Sequence, residues 1–186
     1  MNYFFLSRTE LFHGIIEDEI KNVFSCLDSH EKKYKSKEII FRTGTPVREM
    51  DDFSAFVPIL SQVCSAVWRE HTGTDPSFSM AEALASSIAE QEPPAVPEAE
   101  RELAGAVINS TISRFLSMLR EKNARLIPEI WHGGDCPFCG SSARIGFDAE
   151  DERTLACLSC GHTWRFPRLR CPACSNTDHA TLGYFD

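Results

Sequence analysis

The sequence lacks several features that mark common classes of protein. No apolar run approaches the roughly 18 residues that span a bilayer. Positive charge is in deficit, with 19 Lys and Arg against 27 Asp and Glu, and the net charge of −8 disfavours binding to nucleic acid through its phosphates. The N-terminus lacks the basic lead-in, long apolar core and cleavage site of a signal peptide. We therefore expect a cytoplasmic protein without membrane or nucleic-acid partners.

Cysteine is scarce in the first part of the chain and concentrated in the last. Residues 1–130 contain only Cys26 and Cys64, whereas 131–186 contain the other six cysteines and no Lys. Breakers at Pro128 and Gly133 mark the change in composition. We predict two domains, 1–130 and 131–186. Because cytoplasmic thiols stay reduced, the cysteine cluster indicates a metal site rather than disulfides.

The first region has the apolar spacing of amphipathic helices. Asp51 or Asp52 is the expected N-cap of the second helix, and Asp75 that of the third, with Pro76 at its first position. Cys26 and Cys64 fall within helical patterns and are expected to be core residues. The four predicted helices span about 12–34, 52–70, 76–90 and 98–126, and a Pro-rich connector at 91–100 joins the third to the fourth. Four helices with one apolar face each predict a small bundle.

The second region has short segments rich in β-formers, at 143–149, 153–157, 162–170 and 180–185. They predict antiparallel strands and, with the bundle, an α+β fold. Trp164 and Phe166 should share one buried face of a strand. About 55 residues of this kind bury too little apolar surface to be stable without a cross-link such as a disulfide or a bound metal ion, called a staple below.

Two Cys-x-x-Cys pairs separated by 17 residues predict that staple. Each pair is short enough for one turn to aim both sulfurs at one ion, and the interval allows a hairpin to return the second pair to the first. Gly140 and Gly161 follow the pairs, where glycine permits positive φ and lets amides turn toward the sulfurs. A structural zinc ion contributes roughly 10–16 kcal/mol in small zinc-finger peptides. The predicted ligands are Cys136, Cys139, Cys157 and Cys160.

A third pair, Cys171 and Cys174, exceeds what one tetrahedral site needs. Ten residues separate it from Cys160, and Ser175 rather than glycine follows it. His179 is either a further ligand or an ordinary strand residue, and His132 and His162 border a site that four thiols already fill. Other uses of the pairs are a thioredoxin-like dithiol and, with Trp164 and its basic neighbours, a nucleic-acid strip. No Ser-His-Asp array, paired carboxylates or phosphate-binding loop is present, so nothing indicates hydrolysis or phosphoryl transfer.

The segments "CPFCGSSARIG", "RTLACLSCGHTWRFPRLRCPACSN" and "TLGYFD" resemble the formate dehydrogenase accessory protein family, FdhE. The resemblance covers about 50 residues. That family has a CPxCGS turn, then an Arg-x-Leu-x-Cys-x-x-Cys run, a Trp, a third pair and an aromatic strand. The positions in register are Arg153, Leu155, Cys157, Cys160, Trp164, Arg168, Cys171 and Cys174.

The resemblance implies a cytoplasmic accessory factor that binds the catalytic subunit of formate dehydrogenase and catalyses nothing itself. It also implies rubredoxin-like four-cysteine sites with iron, whereas coordination chemistry alone equally allows Zn²⁺. Family members carry a fourth pair that completes a second site. We therefore expect Cys171 and Cys174 to be half of an incomplete site, left empty or pooled by two chains in a homodimer. The alternative functions are a rubredoxin-like electron carrier and a zinc-ribbon adaptor for nucleic acid or protein.

Overall fold

The described residues form two compact units. The structure, a computed structural model, describes residues 47, 56–89, 91, 96–143, 145–149, 152–178 and 180–181. Residues 56–115 belong to the first unit, and residues 116–181 with Val47 belong to the second. Among these residues there are three α-helices and one three-stranded antiparallel sheet, so the α+β class is confirmed. No helix in the described ranges is both long and apolar enough to cross a bilayer.

Three of the four predicted helices fall within the described ranges. Helix α1 runs Val57–Thr72, α2 runs Met80–Ile88 and α3 runs Glu98–Lys122, followed by a 3₁₀ turn at Ala124–Leu126. Gly73, at φ 75°, ends α1 by donating its N–H to the carbonyl of Arg69. The predicted helix at 12–34, with Cys26, and the N-cap at Asp51 or Asp52 lie outside the described residues.

The start of α2 corrects the prediction at Asp75 and Pro76. The helix begins four residues later than Pro76, with Ser79 as its N-cap. The Ser79 hydroxyl accepts the N–H of Glu82 at 3.3 Å. Ser-x-x-Glu is the sequence of a capping box, and the cap satisfies one of the N–H groups that a helix start leaves free. Asp75 instead forms an ion pair with Arg69 at 3.5 Å.

Apolar side chains of the three helices form the core of the first unit. Cys64 is fully buried, as the sequence predicts, with Leu60, Val67 and Trp68. The ring of Phe56 lies 5.0 Å from that of Phe115, and Trp68 meets Phe78 edge-on at 5.5 Å. The predicted apolar face of α3 is buried in this unit at Val107, Ile108, Ile112 and Phe115, whereas Leu103 on that face is only partly buried. Its last two residues, Leu116 and Leu119, are buried as well and belong to the second unit.

The sheet of the second unit has the strand order β1-β2-β3. Strand β1 is Ile145–Ala149, β2 is Glu152–Ala156 and β3 is Thr163–Phe166. Leu155 pairs with Gly146 on one side and with Trp164 on the other. Side chains alternate between faces, and Leu155, Trp164 and Phe166 are buried, as predicted for the two aromatic residues. The predicted strand at 180–185 begins with a turn at Ala180 and Thr181, and its other residues are outside the described ranges.

Candidate metal centre

Each Cys-x-x-Cys pair lies in the same kind of tight turn, called a knuckle below. In every knuckle the N–H of the fifth residue donates to the carbonyl of the first cysteine, at 2.9 Å in all three. The first cysteine's own N–H donates to the carbonyl of the sixth residue, at 2.8 to 2.9 Å. Knuckle 1 is 136–141, knuckle 2 is 157–162 and knuckle 3 is 171–176. Two main-chain hydrogen bonds therefore fix each turn, whatever side chains stand between the cysteines.

The fifth residue of each knuckle has a left-handed backbone. Gly140 has φ 77° and Gly161 has φ 69°, which confirms the expected positive φ. Ser175 has φ 59° and is the one non-glycine residue in the described ranges with positive φ. The expectation that amides turn toward the sulfurs is met at Cys157, whose sulfur accepts the backbone N–H of Cys160. The N–H groups of Gly140 and Gly161 themselves donate to carbonyl oxygens.

Knuckles 1 and 2 bring four buried thiols together. The Sγ atoms of Cys136 and Cys160 are 3.5 Å apart, and so are those of Cys139 and Cys157. All four sulfurs lie within 4.8 Å of one another, and each residue is at most 1% exposed. These four cysteines therefore lie close enough to hold one metal ion.

The spacing of the sulfurs suits a tetrahedral ion. Bonds of about 2.3 Å from Zn²⁺ to four thiolates give sulfur–sulfur edges of about 3.8 Å. The two measured separations of 3.5 Å are slightly shorter than that edge. Only a small expansion of the quartet would accommodate the ion, and the donor set is that of soft-metal sites such as zinc and iron–sulfur centres.

Because the four thiols are close together, their pKa values differ from one another. Hydrogen bonds with Cys139 and Cys157 raise the pKa of Cys136, and those with the other three cysteines raise that of Cys160. The hydrogen bond with Cys136 is the largest effect that lowers the pKa of Cys139, to about 7. A hydrogen bond with Cys136 is also the main reason why the pKa of Cys157 lies below its usual range. Cys136 and Cys160 therefore keep their protons more tightly than Cys139 and Cys157 do. A cation that takes all four sulfurs must therefore displace the remaining protons.

Three contacts from outside the knuckles support the quartet. The Arg120 guanidinium, near the end of α3, donates to the carbonyl of Gly161 at 3.0 Å. Val47 donates its N–H to the carbonyl of Phe138 at 2.8 Å. The Trp164 indole donates to the carbonyl of Gly133 at 3.2 Å, linking β3 to the segment before knuckle 1. Knuckle 2 itself is the turn between β2 and β3.

Knuckle 3 stands apart from the quartet. Cys171 is partly exposed and Cys174 is exposed. The backbone N–H groups of Cys174 and Ala173 lower the pKa of Cys171. Within the described ranges no third or fourth ligand joins these two thiols, and His179 lies outside those ranges.

The two other predicted histidines do not join the quartet either. His132 is exposed. The imidazole of His162 stacks on the indole of Trp164, with ring centres 6.0 Å apart and planes at 10°. Burial, and then the charge of Arg120, lower the pKa of His162.

Three residues that position the site carry no motif. Arg120 and Val47 are distant in sequence from the knuckles that they contact. Gly134 lies against the main chain of Pro172 in knuckle 3, where a side chain would collide. The doubled glycine at 133–134 is visible in the sequence and indicates a breaker, but it does not reveal this close approach.

The fold and the quartet define a small α+β protein with a tetrathiol centre of the metal-binding type. A search of curated proteins finds similarity to a protein of Aquifex aeolicus (strain VF5) named "Protein FdhE homolog". The two are 36% identical over 62 residues, which is 31% of this chain and 22% of the relative. The resemblance to the FdhE family is thus confirmed over part of the chain, which spans about a fifth of that relative's length. No protein-family model matches the chain, nor does any solved structure.

Proposed function

We propose that this protein is an accessory factor for formate dehydrogenase that binds the catalytic subunit and performs no catalysis of its own. The partial similarity to an FdhE homolog supports this function. The tetrathiol quartet carries the proposal, because it supplies the feature that the resemblance implies: four buried thiols within 4.8 Å of one another. On this proposal the protein works in the cytoplasm, where the catalytic subunit is made.

The proposed ligands of the metal ion are Cys136, Cys139, Cys157 and Cys160. Their thiolates would hold Zn²⁺ or iron, and the ion would act as the staple that the small sheet requires. Two main-chain hydrogen bonds in each knuckle hold the sulfurs in place once the turn has formed. The role of the ion is therefore structural, ordering residues 131–181 around it.

The finer architecture belongs to the same proposal. It consists of a helical bundle over 1–130 and a rubredoxin-like ribbon over 131–186. Knuckle 3 is half of a second site. Two chains would complete that site by pooling Cys171 and Cys174, since the turn already has the form of the two complete knuckles.

A pull-down with the purified catalytic subunit of formate dehydrogenase tests the function. We expect the immobilised full chain to retain that subunit and not an unrelated dehydrogenase subunit of similar size. Equal retention of both, or of neither, contradicts the proposal. The same assay on Cys64→Ala controls for loss of a buried cysteine outside the quartet, and it should leave retention unchanged.

Metal analysis of the same protein tests the centre. One ion per chain is expected if knuckle 3 stays empty, and 1.5 ions per chain with a dimer by light scattering if two chains share it. Visible absorption distinguishes a ferric tetrathiolate, which is coloured, from zinc. Cys136→Ser should remove the quartet's ion and the order of residues 131–181, whereas Cys64→Ala should keep both. A protein that holds no ion contradicts the assignment.

A further inference from the structure

One edge of the sheet borders a cavity within the second unit. Strand β3 pairs with β2 on one side only, and among the described residues no main-chain group bonds to its other side. A cavity of about 680 Å³ lies there, lined by four consecutive residues, 162–165. Side chains of consecutive strand residues point to opposite faces, so a lining of this kind indicates that the strand's edge faces the cavity.

The hydrogen-bond pattern identifies the main-chain groups on this edge. The N–H of Cys157 donates to the carbonyl of His162, which makes those two residues a hydrogen-bonded pair. Bonded and non-bonded pairs alternate along an antiparallel ladder. The pairs at Thr163 and Arg165 are therefore non-bonded, and the N–H and C=O groups of these two residues point away from β2. Two donors and two acceptors are thus directed toward the cavity.

The segment after α3 also lines the cavity and is largely apolar there, with Ile127, Ile130 and Trp131 among its side chains. This segment is called the apolar wall below. Ile130 is 76% exposed, an unusual state for a large aliphatic side chain beside a cavity. An edge strand that needed only protection would face solvent, with a charge such as Arg165 to discourage pairing. Here it borders a cavity of ligand-binding size that the apolar wall also lines.

Charge is distributed unequally across the cavity. Arg165 lies near one end of β3. The Arg120 guanidinium is bonded to Gly161 just before the other end, and it is also paired with Glu121 at 3.6 Å. The acidic lining residues, Glu121 and Glu129, belong to the helix end and the apolar wall. Arg165 is paired with Glu152 at 3.1 Å, and both side chains are exposed, so this ion pair is easily exchanged for another. Arg165 is therefore the cation of the lining that a carboxylate of a partner can engage.

We propose that this cavity is a docking groove for an extended peptide segment of a partner protein, which adds to β3 as a fourth strand. The peptide's main chain pairs with Thr163 and Arg165, as in other cases of strand addition to a sheet edge. Its apolar side chains contact Ile130 and Trp131, and an acidic side chain lies near Arg165. This inference concerns the groove alone and does not depend on which protein supplies the peptide.

The test uses a phage-displayed library of random peptides of about 12 residues, selected on the full chain loaded with its metal. We expect enrichment of apolar sequences that contain Asp or Glu, and protection of the Thr163 and Arg165 amides from hydrogen exchange when a selected peptide binds. Methylating every second main-chain nitrogen of the peptide should weaken binding about tenfold if those nitrogens face β3. Methylating the other set, which faces away from β3, should leave binding unchanged. No enrichment, enrichment of basic peptides, or protection on β1 instead overturns the proposal.

Variants of the groove provide the second arm, with binding of a labelled selected peptide as the readout. Thr163→Pro removes an outward N–H without removing a bond to β2, and should weaken binding about tenfold. Thr163→Val keeps the N–H and should bind normally. If the proline variant does not fold, Ile130→Glu tests the groove instead, because it alters only the apolar wall. Its control is Leu158→Glu, a change at an exposed apolar residue outside the cavity. Equal affinity for Ile130→Glu and Leu158→Glu overturns the proposal.

The groove and the proposed function fail in different ways. If Thr163→Pro still retains the formate dehydrogenase subunit and binds peptides normally, the groove is disproved and the accessory function stands. If peptides bind at β3 but the subunit is not retained, the groove stands and the accessory function does not. Self-association of the free chain that Thr163→Pro abolishes would assign the edge to a second copy and overturn the peptide proposal.

Discussion

Gly134 and Pro172 touch through their main chains, although 38 positions separate them in the sequence. The carbonyl oxygen of Pro172 occupies the space that a Cβ on residue 134 would need. The segment before knuckle 1 therefore passes directly against knuckle 3. Because the colliding atom belongs to the main chain, no side-chain rotation can relieve the contact.

Gly134→Ala should consequently destabilise the Cys-rich segment by roughly 1–3 kcal/mol, the usual cost of overpacking. Gly105→Ala is the matched control, since it lies within α3 with no atom within 4 Å of an added Cβ. That change should raise stability by roughly 0.5–1 kcal/mol through helix propensity. Denaturant unfolding of both variants checks the pair. Equal effects of the same sign would contradict the close approach.

A reciprocal exchange tests the left-handed residue of the knuckles. Ser175→Gly should stabilise knuckle 3 by roughly 0.5–1 kcal/mol, because positive φ is costly for any residue with a Cβ. Gly161→Ser should cost roughly 1 kcal/mol in knuckle 2, where no atom lies within 4 Å of the new Cβ and the cost is conformational alone. Hydrogen exchange of the Cys171 and Cys157 amides measures the two effects. Two changes in the same direction would show that backbone strain is not responsible.

The buried thiol of Cys64 predicts a loss of stability in alkali. Burial raises its pKa from 9.0 to about 11. The folded state therefore holds the proton more tightly than the unfolded state, and this contribution is complete below pH 9 and declines as the pH rises toward 11. The two-unit shift corresponds to about 2–3 kcal/mol. The unfolding free energy of wild type minus that of Cys64→Ala should fall by this amount between pH 8 and 11, and a constant difference would contradict the shift.

Metal affinity should rise steeply with pH. Cys136 and Cys160 keep their protons in the ion-free arrangement, whereas the pKa of Cys139 is about 7 and that of Cys157 is lower. Binding must displace the protons that the thiols keep, so the apparent affinity should increase about tenfold per pH unit for each proton released. Competition with a chelator between pH 7.5 and 8.5 measures this slope. An affinity that does not change between pH 7.5 and 8.5 would contradict binding by four thiolates.

The predictions that depend on local spacing agree with the structure. The alternation of Trp164 and Phe166, the apolar face of α3 and the positive φ of Gly140 and Gly161 each follow from a repeat or a turn within a few residues. The start of α2 is also local, but two signals competed there. Ser79 caps the helix because its hydroxyl reaches the N–H of Glu82, whereas Asp75 is engaged by Arg69.

The remaining features depend on residues that are distant in sequence. Arg120 reaches Gly161 from the end of a helix, and nothing in its neighbourhood marks it as different from other helix-end cations. Ser175 adopts a glycine-like backbone because the hydrogen bonds of knuckle 3 require it, against its own preference.

In each knuckle, the positions of the two thiols do not depend on which side chains lie between them. Their shape is set by the main chain, so the two residues enclosed by each pair are free to differ. In knuckle 1 they include the buried Phe138, in knuckle 2 the exposed Leu158 and in knuckle 3 the exposed Ala173. The residues between the two cysteines of a knuckle can therefore be changed, in evolution or by design, without altering the positions of the sulfurs.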